Sequence, residues 1–110
     1  MTGGFDGGGQ RGSVDALLSY ARPAQRQTSL AAGTTAYSLL LFYSAAIDRG
    51  TFQAEVNGTS LTPLFTPIPG RSETVTIPLQ SGRNVLTLSV VGNPDGRDAT
   101  DRDRLTFIVP

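Results

Sequence analysis

Residues 52–60 read FQAEVNGTS, and this stretch decides the fold. Phe52, Ala54 and Val56 alternate with Gln53 and Glu55, and period-two alternation is typical of a strand with one buried face. The Asn-Gly pair that follows supplies both positive-φ positions of a type I′ turn, so the segment predicts a β-hairpin. We therefore expect an all-β chain.

Two other regions predict strands. Residues 34–47, TTAYSLLLFYSAAI, place β-branched and aromatic residues around a continuous apolar centre. This pattern is typical of a strand that is covered on both faces or is central to a sandwich. Residues 75–79 and 86–90 each alternate apolar with polar side chains on either side of Ser81-Gly82, and they predict a second hairpin.

The remaining segments complete the prediction of a sandwich. VDALLSY, residues 14–20, predicts a first strand that ends before Arg22-Pro23, or alternatively a short helix. TPIPGR, residues 66–71, predicts a loop, and Pro78 predicts an edge position or a strand end. LTFIV, residues 105–109, predicts the last strand. About seven short strands separated by turns are the pattern of an antiparallel β-sandwich.

The 110 residues are enough for one domain. Residues 1–13 are rich in glycine and predict a flexible arm or a leader, whereas residues 14–110 predict the sandwich domain. No apolar run reaches the roughly 18 residues that span a bilayer, so we expect no membrane insertion. The start also lacks a signal-peptide pattern. The chain is then either cytoplasmic or, as we expect, a piece of a longer extracellular or cell-surface protein.

The composition argues against most enzyme chemistry. The chain has no Cys, His or Trp, and all nine of its basic residues are arginines, balanced by nine acidic residues. Thiol nucleophiles, the usual neutral-pH general base and Schiff-base lysines are therefore absent. Nucleic acid is not an expected partner, because its binding draws on an excess of positive charge. The inventory favours a protein that is not an enzyme.

One acidic stretch is the main candidate site. Residues 93–104 read NPDGRDATDRDR, and their first four residues fit a type I turn. Calcium binds six to eight oxygens, so four carboxylates and loop carbonyls could hold it. The candidate ligands are Asp95, Asp98, Asp101 and Asp103. The alternative is a solvated turn in which the acids are neutralised by Arg97, Arg102 and Arg104. No other metal or cofactor is expected.

Aromatic and carboxylate side chains suggest two weaker sites. Tyr37 and Tyr43 are candidate ligand residues, because exposed aromatic rings can stack on a sugar. They share strand parity with Leu39 and Leu41, so the alternative is a pair of core tyrosines. Glu55 and Glu73 are the only glutamates, and paired carboxylates can hydrolyse glycosidic bonds across a cleft. Nothing in the pattern predicts such a cleft.

Residues 47–58, IDRGTFQAEVNG, and residues 81–110 resemble the immunoglobulin-like modules of bacterial secreted and cell-surface proteins. In those modules a Thr-Phe strand ends in an Asn-Gly turn. A Gly-x-Asn strand then precedes a glycine/aspartate loop and a closing hydrophobic strand. The resemblance covers roughly residues 36–109 and implies an immunoglobulin-like β-sandwich.

The same resemblance implies that the module is a spacer, adhesive or accessory unit beside neighbouring domains of a larger chain. Two alternatives stay open. One is a calcium- or carbohydrate-binding module with a protein or glycan ligand. The other is a self-associating fibre or surface-array subunit, in which the glycine-rich arm and VDALLSY pair with an exposed sheet edge of the next copy.

Overall fold

The computed structural model describes residues 17–110, which form two β-sheets and a single 3₁₀ turn at Thr62–Leu64. No helix in this range is long and apolar enough to cross a membrane. The all-β prediction is confirmed, whereas the predicted flexible arm at residues 1–13 lies outside the described residues. The strands are β1 (Leu18–Arg22), β2 (Gln27–Ser29), β3 (Ala36–Tyr43), β4 (Ile47–Val56), β5 (Thr59–Ser60), β6 (Ser72–Pro78), β7 (Gly82–Gly92) and β8 (Ala99–Val109).

The strands divide into a three-stranded sheet with the order β1-β3-β6 and a five-stranded sheet with the order β2-β8-β7-β4-β5. All pairs are antiparallel except β2 and β8, which run parallel. The chain passes from the first sheet to the second between β1 and β2, next to a cis Arg22-Pro23 bond. The first strands therefore contribute to both layers of the sandwich.

The core lies between the two sheets and consists of the inward-facing side chains of each. Tyr43 and Phe107 are the largest fully buried residues, and the ring of Tyr43 meets that of Phe52 edge to face at 5.7 Å. Strand β3 confirms the strand predicted within residues 34–47, and it is the middle strand of its sheet. It is covered on one face only, because Phe42 is 46% exposed on the other.

The hairpin predicted at residues 52–60 is confirmed. Asn57 has φ of 50° and Gly58 has φ of 83°, as a type I′ turn requires, and β4 pairs with β5 across them. Pro78 ends β6, an outer strand of its sheet, which confirms the prediction for that residue.

The second predicted hairpin is wrong, because β6 pairs with β3 whereas β7 pairs with β4 and β8. The chain crosses from one sheet to the other between β6 and β7. Alternation and a turn signal identify two strands, but they do not specify whether those strands share a sheet. The side chain of Asn84, which is fully buried, holds the crossing by binding both the N–H and the C=O of Gln80.

Strand β8 begins six residues before the predicted last strand and pairs with β7 along its whole length. Asp101 and Asp103 therefore lie in regular strand and face inward with Leu105 and Phe107, as their spacing predicted. Strand β1 ends at Arg22, one residue later than predicted, and residues 14–16 of VDALLSY lie outside the described residues.

Gly92 lies where β7 passes close to the residues that precede β4. A Cβ atom at Gly92 would lie 2.7 Å from the Ala46 carbonyl oxygen and 2.9 Å from a methyl group of Leu17. We expect Gly92→Ala to lower the free energy of unfolding by about 1–3 kcal/mol through overpacking, as measured by urea denaturation. In the control Gly50→Ala the new methyl meets only a 3.4 Å contact with Asp48. Equal losses in both variants would contradict this explanation.

Candidate functional site

The four aspartates of the predicted calcium site separate into two groups. Asp95 and Asp98 are exposed in the loop between β7 and β8, and Asp98 accepts a 3.4 Å hydrogen bond from the Asn93 amide. Asp101 and Asp103 are 0% and 2% exposed inside the sandwich. The structure therefore places Asp101 and Asp103 together as an inner pair, whereas Asp95 and Asp98 lie outside in the loop.

Asp101 connects the two sheets. Its Oδ2 atom accepts a hydrogen bond of 2.9 Å from the backbone N–H of Leu18, at the start of β1. Strand β1 belongs to the three-stranded sheet and β8 to the five-stranded sheet. This hydrogen bond therefore attaches the first strand to β8 across the sandwich.

Asp103 forms a cluster with Tyr20 and Arg26. Its Oδ2 atom accepts a hydrogen bond of 2.5 Å from the Tyr20 hydroxyl, and its Oδ1 atom lies 3.1 Å from Nη1 of Arg26. The Arg26 side chain is 55% exposed, whereas that of Asp103 is 1% exposed. A partly solvated cation thus covers a buried carboxylate, which lessens the cost of removing two charges from water. Burial, and secondly Asp103, raise the pKa of Tyr20 well above its usual value.

The source of the neutralising charge differs from the prediction. Arg102 and Arg104 alternate with the inner aspartates and therefore lie on the exposed face of β8. The cation that reaches Asp103 is Arg26, from the segment between β1 and β2. The sequence offered one signal for this cluster, namely that Tyr20 shares strand parity with Leu18 and so points inward.

The inner pair accepts hydrogen bonds from three groups of the chain itself, namely the Leu18 N–H, the Tyr20 hydroxyl and the Arg26 guanidinium. A metal ion bound to these carboxyl oxygens would need further oxygen ligands in the places that the three donors occupy. Within residues 17–110, no three Asp, Glu, His or Cys side chains cluster closely enough to hold a metal ion. This geometry suits a structural contact between strands.

The two candidate tyrosines point toward the interior from opposite ends of β3. The Tyr43 hydroxyl donates to Glu73, which also accepts a 2.9 Å hydrogen bond from the Thr66 N–H. Burial, and secondly the bond to Glu73, raise the pKa of Tyr43. The ring of Tyr37 is half-buried and lies 4.7 Å from that of Phe107. The structure does not bring the two rings together on one surface.

The outer face of the five-stranded sheet carries a polar groove that sequence reasoning missed. The groove has a volume of about 630 Å³. Its polar lining includes Gln53, Glu55, Thr87, Ser89 and Arg102. Glu73 lies in the other sheet, so the two glutamates do not share this groove. The available signal was the polar half of each strand's alternation, but it does not reveal which strands are neighbours.

Comparisons with protein-family models, with curated proteins and with solved structures found no match to this chain. Function is therefore inferred from the geometry of the chain itself.

The cluster around Asp103 gives a first test. We expect Asp103→Asn to lower the free energy of unfolding by about 1.5–3 kcal/mol, because it removes the charge that two hydrogen bonds share. Urea denaturation at neutral pH would measure the loss. Asp98→Asn, in the exposed loop, is the matched control and should change stability by less than about 0.5 kcal/mol. Similar effects of the two substitutions would show that burial of Asp103 carries no special stabilisation.

The raised pKa of Tyr20 and Tyr43 predicts a loss of stability in alkali. The folded state holds both phenol protons, so their contribution is complete below about pH 10, the value for an unfolded tyrosine, and decreases above it. Above that pH, each tyrosine should lower the free energy of unfolding by about 1.4 kcal/mol per pH unit. Tyr20→Phe should remove one such slope in urea denaturation series, while its effect at pH 7 reports the lost hydrogen bond alone. An unchanged alkaline slope would contradict the assignment.

Proposed function

We propose that this chain is a non-catalytic, immunoglobulin-like spacer module of a larger extracellular or cell-surface protein. The sheet order supports the immunoglobulin-like arrangement. Without the short strands β2 and β5, the sheets are β1-β3-β6 and β8-β7-β4. In chain order these correspond to strands A, B and E of one immunoglobulin sheet and to strands G, F and C of the other.

The observation that carries the spacer function is the position of the two ends of the described chain. Leu17 accepts a hydrogen bond from Ser44 at one end of the sandwich, and Val109 pairs with Gly82 at the other. Strand β8 runs between these ends, and the nine residues from Asp101 to Val109 span about 26 Å. A module of this kind, joined to neighbours at both ends, adds its length to the chain.

Tension between these ends would act along the strands. Because β2 and β8 run parallel, pulling Leu17 and Val109 apart slides β2 against β8 and loads their hydrogen bonds together. The contacts of Asp101 and Asp103 attach β1 and Arg26 to β8 in addition to the ladder. The buried acids thus reinforce the connection through which a spacer would transmit force.

The test is to pull tandem copies of the chain in an atomic force microscope. We expect one rupture peak per copy and a lower peak force for Asp103→Asn. The matched control is Val75→Ala in β6, which removes buried core methyl groups from a strand that pairs only with β3 and not with β1, β2 or β8. Val75→Ala should reduce the unfolding free energy without a comparable loss of peak force. Extension without rupture peaks, or equal force losses in both variants, would refute the spacer proposal.

A further inference from the structure

Three neighbouring strands build the groove on the outer face of the five-stranded sheet. Its floor is β7, whose outward side chains are short and half-buried, namely Val85, Thr87, Ser89 and Val91. Longer, exposed side chains stand on either side, with Gln53 and Glu55 on β4 and Arg102 and Arg104 on β8. The wall formed by β4 therefore carries one carboxylate and one amide, and the wall formed by β8 carries two arginines.

The strand register aligns the two walls in rows. Glu55 pairs with Thr87, which pairs with Arg104 on its other side. In the next row Gln53 pairs with Ser89, and Ser89 with Arg102. Strands β4 and β8 are two strand spacings apart, about 10 Å, so each row sets an acid or amide and an arginine at equal distances from a central strand.

The charges of these walls have no ion-pair partner within residues 17–110, where the salt bridges do not include Glu55, Arg102 or Arg104. Exposed charges are stable in water without partners, so this observation alone does not indicate a ligand. What distinguishes the face is that its pattern is self-complementary. The two walls lie at equal distances from β7 and carry complementary groups. The β4 wall of one copy can therefore face the β8 wall of another.

A two-fold axis that runs parallel to the strands above β7 would place β8 of one copy over β4 of the other. Because this rotation does not shift positions along the strands, Glu55 would then face the partner's Arg104. Gln53 would face the partner's Arg102. A two-fold axis perpendicular to the strands would instead place β8 over β8, and its arginines would repel one another. The charges therefore select the parallel arrangement.

The area of the face fits a weak, reversible contact. The long strands β8, β7 and β4, about 4.8 Å apart over about eight residues, cover roughly 380 Å² on each copy, and the short strands β2 and β5 add roughly 80 Å². The total of about 900 Å² is in the range of weak, transient protein interfaces, so we expect a dimer that forms at high concentration. The short side chains of Thr87 and Ser89 at the centre allow two such sheets to approach to the usual distance of about 10 Å.

We propose that this chain forms a symmetric, parallel dimer through the outer face of its five-stranded sheet, with Glu55 and Arg104 as reciprocal ion pairs. The occupant of the groove is a second copy of the chain. This inference goes beyond the spacer function, because it makes the module a lateral connector between two chains whose ends point the same way.

Sedimentation equilibrium of the full chain over micromolar to millimolar concentrations is the experiment. The wild-type chain should dimerise, and its Kd should rise with added salt, because exposed ion pairs are screened. Glu55→Arg and Arg104→Glu should each raise the Kd at least tenfold, since each places like charges opposite one another twice. An equimolar mixture of the two variants should form a heterodimer. The double variant carrying both changes should again form a homodimer.

Matched controls reverse exposed charges elsewhere. Asp95→Arg changes the loop between β7 and β8, and Arg71→Glu changes the loop before β6. Both should leave the wild-type Kd unchanged, and urea denaturation of every variant establishes that each is folded. Deleting residues 1–16 should also leave dimerisation intact.

Four results would overturn the proposal. They are a monomer at every concentration, a dimer that neither charge reversal weakens, a dimer that requires residues 1–16, and a double variant that stays monomeric although each single reversal dissociates the dimer. A monomeric chain whose groove binds a polar peptide or an oligosaccharide in a titration would equally overturn it, because the occupant would then not be a second copy.

Discussion

A carboxylate that faces an apolar interior must be supplied with hydrogen-bond donors or it destabilises the fold. Strand β8 places two such groups, Asp101 and Asp103, in the same inward row as its core side chains. The donors come from the beginning of the described chain, with Leu18 and Tyr20 in β1 and Arg26 just before β2. The first strands therefore supply the donors that these carboxyl groups need, and these contacts join the two sheets in addition to the shared apolar core.

The sequence predicted what local spacing determines. Alternation and the Asn-Gly turn predicted β4 and its hairpin. The two-residue spacing from Leu105 and Phe107 predicted that Asp101 and Asp103 share the inward face. It could not predict partners, because a strand has the same alternation whether the next strand lies beside it or in the opposite sheet. The neutralising cation illustrates this limit. Arg102 and Arg104 are neighbours in sequence but face outward, whereas Arg26 reaches Asp103 from 77 residues away.

The same limit applies to the groove. Each of its walls is visible in the sequence as the polar half of a strand, but β4, β7 and β8 become neighbours only through the sheet order. Tyr43 shows the opposite case, because its parity with Leu39 and Leu41 already indicated a core position. Its hydroxyl bond to Glu73 required a second strand and was not predictable.

Glu73 has a consequence for how the chain behaves among copies of itself. Strand β6 is the outer strand of its sheet, and its Thr-Val-Thr-Ile centre has the composition of an aggregation-prone segment. An inward-pointing charge and a terminal proline are devices that keep an open edge from pairing with another chain. Glu73 and Pro78 stand at the two ends of that segment. Both features hinder the pairing of this edge with a second chain, which is the first step toward a continuous intermolecular sheet of the kind found in amyloid.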